Sequence, residues 1–344
     1  MFNYFVRRFL LIIPTFLIAT MVVFVILQYT PGGPFEMIEM QFKMGQRGGG
    51  GEASGGGSGG RGGADIQIPE QAKEELLRYF DLDKPVPVRY VRWLGKIVTG
   101  DFGTSYTYSE PVIDVITSRF PISIYFGLIG FVFSYLICIP LGIIKAIRHG
   151  SAFDITSSAI VFMGYAIPGW ALGAVALVTL GGTYFPLGEF RSPGWEDMAL
   201  WDQIIDQVHH TILPVLAYMV GSFATLTILM KNSLLENLGQ DYVRTAFAKG
   251  LSERRVIFVH ALRNSLIPIA TGLGGALGLI FTGSVLIERI FNIDGMGYVG
   301  FRSVVERDYT VFMGTLVIGL VIQLTGNIFS DILYALIDPR IRFR

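Results

Sequence analysis

The chain has 344 residues, 51% apolar and only 16% charged, against roughly 25% charged in an ordinary soluble domain. Lys plus Arg and Asp plus Glu number 27 each, so the net charge is zero and nothing points to a nucleic-acid partner. A lone cysteine, Cys138, excludes a disulfide within the chain and argues against redox chemistry.

A helix needs about 20 consecutive apolar residues to cross the hydrocarbon layer of a bilayer. Six stretches meet that length, at about 9–28, 122–144, 155–180, 210–230, 266–287 and 312–333. The expected fold is an all-α polytopic membrane protein with six transmembrane helices. The first run follows Arg7 and Arg8, as a signal peptide would. It exceeds a typical signal core of about 7–15 residues, and no small-residue cleavage site follows. Helix breakers, "YTPGGP", end it instead, so residues 1–30 are expected to stay as an N-terminal transmembrane helix.

An outer segment, 31–118, comes next. Its stretch 45–63 is mostly glycine and serine, the composition of a flexible linker. It lacks the G-x-x-x-x-G-K-[ST] spacing that would cradle a phosphate. "IPEQAKEELLRYF" places Pro69 in a first helical turn with Ala72, Leu76 and Phe80 on one face. "VPVRYVRWLGKIV" predicts a second short amphipathic helix with Val91, Leu94 and Val98 on one stripe. Both are expected to lie at the outer membrane surface. "TGDFGTSY" reads as a turn, and "PVIDVITSRF" leads into the second span and a core of 119–337, followed by a tail, 338–344. Pro168 and Pro214 fall inside the third and fourth spans, where neighbouring groups can satisfy the freed carbonyls. His209 and His210 open the fourth span; an adjacent pair points to different faces, which favours an interfacial or capping role over a metal site.

Charge orients the chain. With a cytoplasmic N-terminus, the short inner segments other than 231–264 carry Arg7, Arg8, Lys145, Arg148, Arg340, Arg342 and Arg344 against Asp154 and Asp338. The outer loop 181–208 holds Arg191 against Glu189, Glu196, Asp197, Asp202 and Asp206. Positive charge gathers in short cytoplasmic loops, so both termini are expected inside.

One inner loop, 231–264, is unlike the rest. Within it "DYVRTAFAKGLSERRVIFVHALRNSLIP" carries Arg244, Lys249, Arg254, Arg255, Arg263 and His260 with the acids Asp241 and Glu253. "DYVRTAFAKG" predicts a short helix ending at Gly250 in a left-handed turn. A second helix restarts at Ser252, a possible N-cap with Arg255 where an acid would complete a capping box. Two short helices meeting at a glycine form a compact knob, with Ala246 and Leu251 expected at its tip. The residues alone allow either a solvated, charge-anchored loop or a docking surface.

Polar groups inside the membrane are costly and usually face the bundle or a cavity. Gln323, Asn327 and Asp331 fall at i, i+4 and i+8 on the last span. Asp331 is read as a tether to a loop arginine or as a cargo contact. Glu288 and Arg289 end the fifth span as a local ion pair, an interface anchor or a gate. Along that span Ala270, Gly274, Gly278 and Thr282 form a small-residue face suited to close helix approach. It serves either the subunit's own bundle or a path for cargo. No H-E-x-x-H or Walker spacing occurs, so the chain is not expected to be an enzyme or to supply its own energy.

The charged loop resembles the E-A-A-x3-G-x9-I-x-L-P loop of binding-protein-dependent ABC importer permeases. Arg244, Thr245 and Ala246 stand where E-A-A would be, Gly250 is the glycine, and His260, Leu262 and Arg263 stand where I, L and P would be. These departures match the peptide and nickel branch, with Phe247 where that branch has arginine. "FVRRFLLIIPT", "PGGP", "FDLDKPVPVRYVRWLGKIVTGDFGTS", "HTILPVLAYMVGSF", "GSVLIERIFNIDGMGYVG", "RDYTVFMGT" and "SDILYALIDPRIR" resemble it too. The outer insertion, "GYAIPGW" and "LTILMKNSLLE" look most like the microcin C-type oligopeptide subgroup.

The resemblance implies a type I ABC permease fold in the cytoplasmic membrane of a bacterium. Its partners would be a second homologous permease, two cytoplasmic ATPases carrying ATP and Mg, and an extracytoplasmic peptide-binding protein; the chain itself would bind no cofactor. Arg244, Thr245, Ala246, Ala248, Lys249, Gly250, Leu251, Ser252, Glu253, His260 and Arg263 would form the coupling loop. Ala270, Gly274, Gly278, Thr282, Gln323 and Asn327 would border the path. The rivals are a nickel or other-solute permease of the same family, and an ion-coupled secondary transporter, which predicts several midplane acids where only Asp331 comes close.

Overall fold

In a computed structural model the described residues are 2–30, 84–273, 278, 280, 281 and 283–337. Among them every element is helical. Contacts divide the chain into two units, one of 14–115 with 302–314, the other of 1–13, 116–301 and 315–344.

In the smaller unit, the membrane helix α1 (Phe2–Tyr29) contributes its second half. Helix α2 (Val86–Val98) forms where the sequence predicts it. Its inward side is Tyr90 and Trp93, whose ring centroids each lie 5.6 Å from Phe24 of α1. The Tyr90 hydroxyl also donates to the Leu17 carbonyl at 3.0 Å. The stripe of Val91 and Val98 stays exposed, at 66% and 79%. The helix thus has two apolar sides, and the aromatic one packs because it buries more area. The predicted turn follows, with Gly100 and Gly103 at positive φ. Its far end is pinned by Asp308, which is 1% exposed. Asp308 accepts from Ser105 Oγ at 2.5 Å, Thr107 N at 3.0 Å, Thr310 Oγ1 at 2.7 Å and Val311 N at 3.2 Å.

The larger unit is built on α3 (Val112–Ile147), α4 (Ala152–Ala166), α5 (Gly169–Leu180) and α6 (Leu200–Leu238). The third expected span is not one straight helix: α4 and α5 meet at 89°. Proline disfavours helix at the residue before it, and Ile167 is extended with Pro168 at φ −56°, ψ 135°. Pro214, by contrast, lies within an unbroken α6 of 39 residues, ~58 Å long. This helix overruns the apolar window 210–230 at both ends. It therefore takes in Lys231 and continues to Leu238, so the charged loop begins at 239 rather than 231.

The loop helix α7 (Asp241–Ala248) is followed by a continuous helical run, α8, of three pieces, Glu253–Arg255, Val256–Ala261 and Leu262–Ser265. The middle piece is π-helical. Then come α9 (Ile267–Thr271), α10 (Val285–Ile290), α11 (Met296–Val305) and α12 (Tyr309–Ile337). Among the described residues four helices are long and apolar enough to cross a bilayer, five spans if the bent pair counts as one. The remaining expected span, 266–287, lies partly outside the described residues, and its described pieces, α9 and α10, are short. The amphipathic helix expected near Pro69, the linker 45–63 and the tail 338–344 lie outside the described residues as well.

One apolar core joins α3, α6 and the loop after α6: Cys138, Ile143 and Ala146 of α3, Met230 and Leu234 of α6, and Val243, Ala246, Val256 and Ala261 of the loop. Gly142 permits it, since a Cβ there would stand 2.7 Å from Met230 Cβ and 2.8 Å from the Thr227 carbonyl. A second core, around Phe126, Leu213, Ala217, Ile287 and Phe291, ties α3, α6 and α10.

Candidate functional site

The charged loop after α6 is a knob, as its sequence predicts, and its geometry begins at Gly250. That residue has φ +77°, the left-handed conformation glycine adopts without penalty. Gly250 N donates to the Phe247 carbonyl at 2.9 Å and Leu251 N to the Ala246 carbonyl at 3.4 Å. These are the paired bonds of a Schellman termination, which satisfy the last carbonyls of α7 and reverse the chain. Ser252 occupies the N-cap position of α8, but its side chain makes no capping bond. Arg255, three residues on, cannot supply the reciprocal acceptor.

The knob faces differently from the simple expectation. Ala246 is 7% exposed and Val243 1%, and Leu251 packs partly buried against the same core. These residues root the knob rather than cap it. Spacing explains this: Val243 and Ala246 are three apart, on the helix face that meets α3 and α6. Exposed instead are Arg244, Thr245, Phe247, Ala248, Lys249, Gly250, Ser252, Glu253, Arg254 and Arg255. His260 is half-buried and Arg263 exposed. The knob thus offers a largely basic surface that also exposes the aromatic rings of Tyr242, Phe247 and Phe258.

Above the knob, a cavity of about 740 Å³ opens between α3, the start of α5, α6 and the 268–287 segment. Its walls include Phe131, Tyr135, Trp170, Tyr218, Ser222 and Ser284, and none of its described lining residues is charged. A second cavity of about 490 Å³ shares Thr225, Leu229 and Pro268 with it and runs down α6 past Asn232 to Glu236. The two cavities adjoin at those shared residues and together line one groove along α6.

The expected path residues fall elsewhere. Ala270 is buried at 6%, and Gly278 lies so close to the Gln323 amide that any Cβ would overlap it. Gln323 Nε2 donates to Asn327 Oδ1 at 3.2 Å. None of these four is among the residues described as lining either cavity. Gly274 and Thr282 lie outside the described residues. Asp331 pairs with Arg8, a residue of α1 rather than of a loop. Glu288 and Arg289 do not pair with each other. Glu288 is 1% exposed and accepts from Ser123 Oγ at 3.1 Å and Tyr298 N at 2.7 Å. Arg289 donates to Tyr298 Oη at 3.1 Å. Burial plus three chain segments converging on one carboxylate make Glu288 an internal anchor.

Sequence reasoning treated the two histidines together, and they separate. His210 is buried, with Nδ1 3.0 Å from the Glu189 carbonyl and Nε2 3.1 Å from Ser192 Oγ, so it pins the outer loop. His209 is exposed, with its ring near Phe185. Among the described residues no cluster of His, Cys, Asp or Glu could hold a metal ion. The wall residues Trp170 and Tyr218 went unnoticed in the sequence. The Pro168 break, just past which Trp170 lines the cavity, was the available signal.

Comparison with known proteins fits this arrangement. Residues 138–343, which include the knob and most of the groove, match the family described as binding-protein-dependent transport system inner membrane component. The chain is 39% identical to the peptidoglycan transport system permease protein YejB of Agrobacterium fabrum, over 99% of this chain and 98% of that one. It is 40% identical to the inner membrane ABC transporter permease protein YejB of Escherichia coli O157:H7, with the same coverage. With the oligopeptide transport system permease protein AppB of Bacillus subtilis it shares 35% identity over 99% of both chains. On identity, coverage and matched residues, this chain belongs to the family of binding-protein-dependent transport system inner membrane components.

Proposed function

We propose that the chain is the membrane-spanning permease subunit of an ATP-driven importer of peptides or peptide-like compounds in the cytoplasmic membrane of a bacterium. The observation that carries this is the rooted knob: a glycine-terminated helix whose inner face shares one core with α3 and α6 and whose outer face is basic and exposed. Such an element transmits a push, because a packed core moves as a body rather than deforming. Two ATPase subunits closing over ATP would engage Arg244, Lys249, Phe247 and their neighbours through an acidic cleft. Their motion would rock the helices of this chain and of a second, related permease about the groove, the general logic of alternating access. An extracytoplasmic binding protein would deliver the cargo. Both termini would then lie inside, a reading supported by the charge distribution of the short loops.

Peptide cargo is supported by the peptidoglycan and oligopeptide transport of the relatives and by the groove. The uncharged walls of the larger cavity, with their aromatic faces and hydroxyls, suit a peptide backbone and varied side chains rather than a metal ion. The finer reading, a microcin C-like peptide conjugate, rests on the likeness of the outer insertion, "GYAIPGW" and "LTILMKNSLLE" to that subgroup. Cysteine placed at Lys249 or Ala248 should crosslink to an ATPase subunit in membranes containing the whole transporter, and cysteine at Tyr184 on the outer loop should not. The same crosslinks from both positions, or none from either, would refute the docking assignment.

A further inference from the structure

Where α3, α4 and α6 meet, two lysines and a histidine surround one carboxylate. The side chains of Lys145 and Asp154 are 1% and 5% exposed and that of Lys231 is 14%. Lys231 Nζ donates to both oxygens of Asp154, at 2.7 and 2.8 Å. Lys145 Nζ stands 3.3 Å from Asp154 Oδ1 and donates to the Asp154 carbonyl at 3.0 Å and to Ser157 Oγ and Ser158 Oγ at 2.7 Å. Gly150 N donates to Asp154 Oδ2 at 3.1 Å, and His149 Nδ1 lies 3.3 Å from that oxygen. Asp154 therefore binds the end of α3, the α3–α4 turn and α6 at one point. Buried ion pairs are poor sources of net stability, because desolvation offsets most of their attraction. Their attested use is to fix one arrangement over its alternatives.

The pair's place on α6 indicates which arrangement. Met230 and Leu234 face the core that roots the knob. Lys231, about 100° further round the helix, faces α4. At one level α6 is thus held on one side by the knob and on the other by the start of α4. From there α4 runs to the Pro168 break, and the residues just past the break, Gly169 and Trp170, form a wall of the cavity. We infer that Lys231 and Asp154 are positioning residues that make α4 travel with α6, so that movement of the knob reaches the Trp170 wall of the cargo cavity. This rests on the importer reading above, and deepens it by naming the linkage between ATPase contact and cavity.

The test uses the complete transporter, with its ATPases and binding protein, in liposomes. Lys231→Met leaves Asp154 facing Lys145 and His149, so the complex should assemble and keep its basal ATP hydrolysis. Peptide delivered per ATP hydrolysed should fall about fivefold or more, the lower range of ordinary coupling energies. The concentration of loaded binding protein giving half-maximal uptake should not change. Lys231→Arg should keep the ratio, and exchanging the charges with Asp154→Lys plus Lys231→Asp should restore part of it. An assembled Lys231→Met complex with an unchanged peptide-to-ATP ratio would overturn the inference. So would a loss of uptake accounted for entirely by loss of assembled complex, with no recovery of the ratio in the exchanged pair. Absence of ATP-driven peptide uptake by the unmodified transporter would instead remove the importer reading itself, which keeps the two failures apart.

Discussion

Replacing Gly250 tests whether the knob acts through its shape. A Cβ at this position would meet nothing within 4 Å, so substitution adds no clash. The cost is then purely conformational, about 1–2 kcal/mol for an L-residue held in the left-handed region. Valine, whose branched Cβ is worst suited to positive φ, should lie at the top of that range and asparagine near the bottom. Because 1.36 kcal/mol is a factor of ten, Gly250→Val should deplete the closed turn about tenfold or more relative to its alternatives. The root of the knob is untouched, since Val243 and Ala246 stay in their core. Gly250→Val should therefore reach the membrane at normal abundance while substrate-stimulated ATP hydrolysis no longer drives uptake. Transport in liposomes should fall in the order Gly, Asn, Ala, Val. Normal uptake by a well-expressed Gly250→Val protein, or equal damage from asparagine and valine, would refute the reasoning.

Three further outcomes follow from the geometry and the composition. Shortening 45–63 should change transport little, because loop-closure entropy varies only slowly with length; complete loss of uptake at full expression would reveal a binding role there. Gly278→Leu forces a side chain into the space of the Gln323 amide, so the detergent-solubilised protein should lose thermal stability by several degrees or fail to accumulate. A stable Gly278→Leu protein that still assembles but transports little would place this face on the cargo path instead. Asp308→Ala strands several buried donors, including Ser105 Oγ and Val311 N, at about 1–3 kcal/mol each. Limited proteolysis should then cut within 99–111 much faster than in the unmodified protein, and equal rates would contradict the anchoring role.

What was legible from the residues follows from what is local. Helix α2, the turn after it and the left-handed Gly250 depend on a few neighbouring side chains, and each was read correctly. The helical membrane character was legible because apolar run length is set by bilayer thickness. Facing was harder. Val243 and Ala246 look like parts of an exposed charged loop until α3 and α6 supply the surface they bury against. Helix ends were also missed. The apolar window stops near 230, yet α6 continues to Leu238, because packing and intrahelical hydrogen bonds sustain a helix beyond its greasy stretch. The Pro168 bend was underestimated, since Pro168 and Pro214 look alike in sequence and only the extended Ile167 distinguishes them. The Asp154 cluster joins residues 77 positions apart in the chain, a pairing no spacing rule reveals.

The most direct measurement is uptake of a labelled peptide by liposomes holding this chain, its companion permease and the ATPases, with loaded binding protein outside. Peptide should accumulate only with ATP on the ATPase side, should be unaffected by collapsing proton and sodium gradients, and should stop when the basic knob is neutralised at Arg244 and Lys249. Accumulation that persists without ATPases and follows an ion gradient would contradict the account.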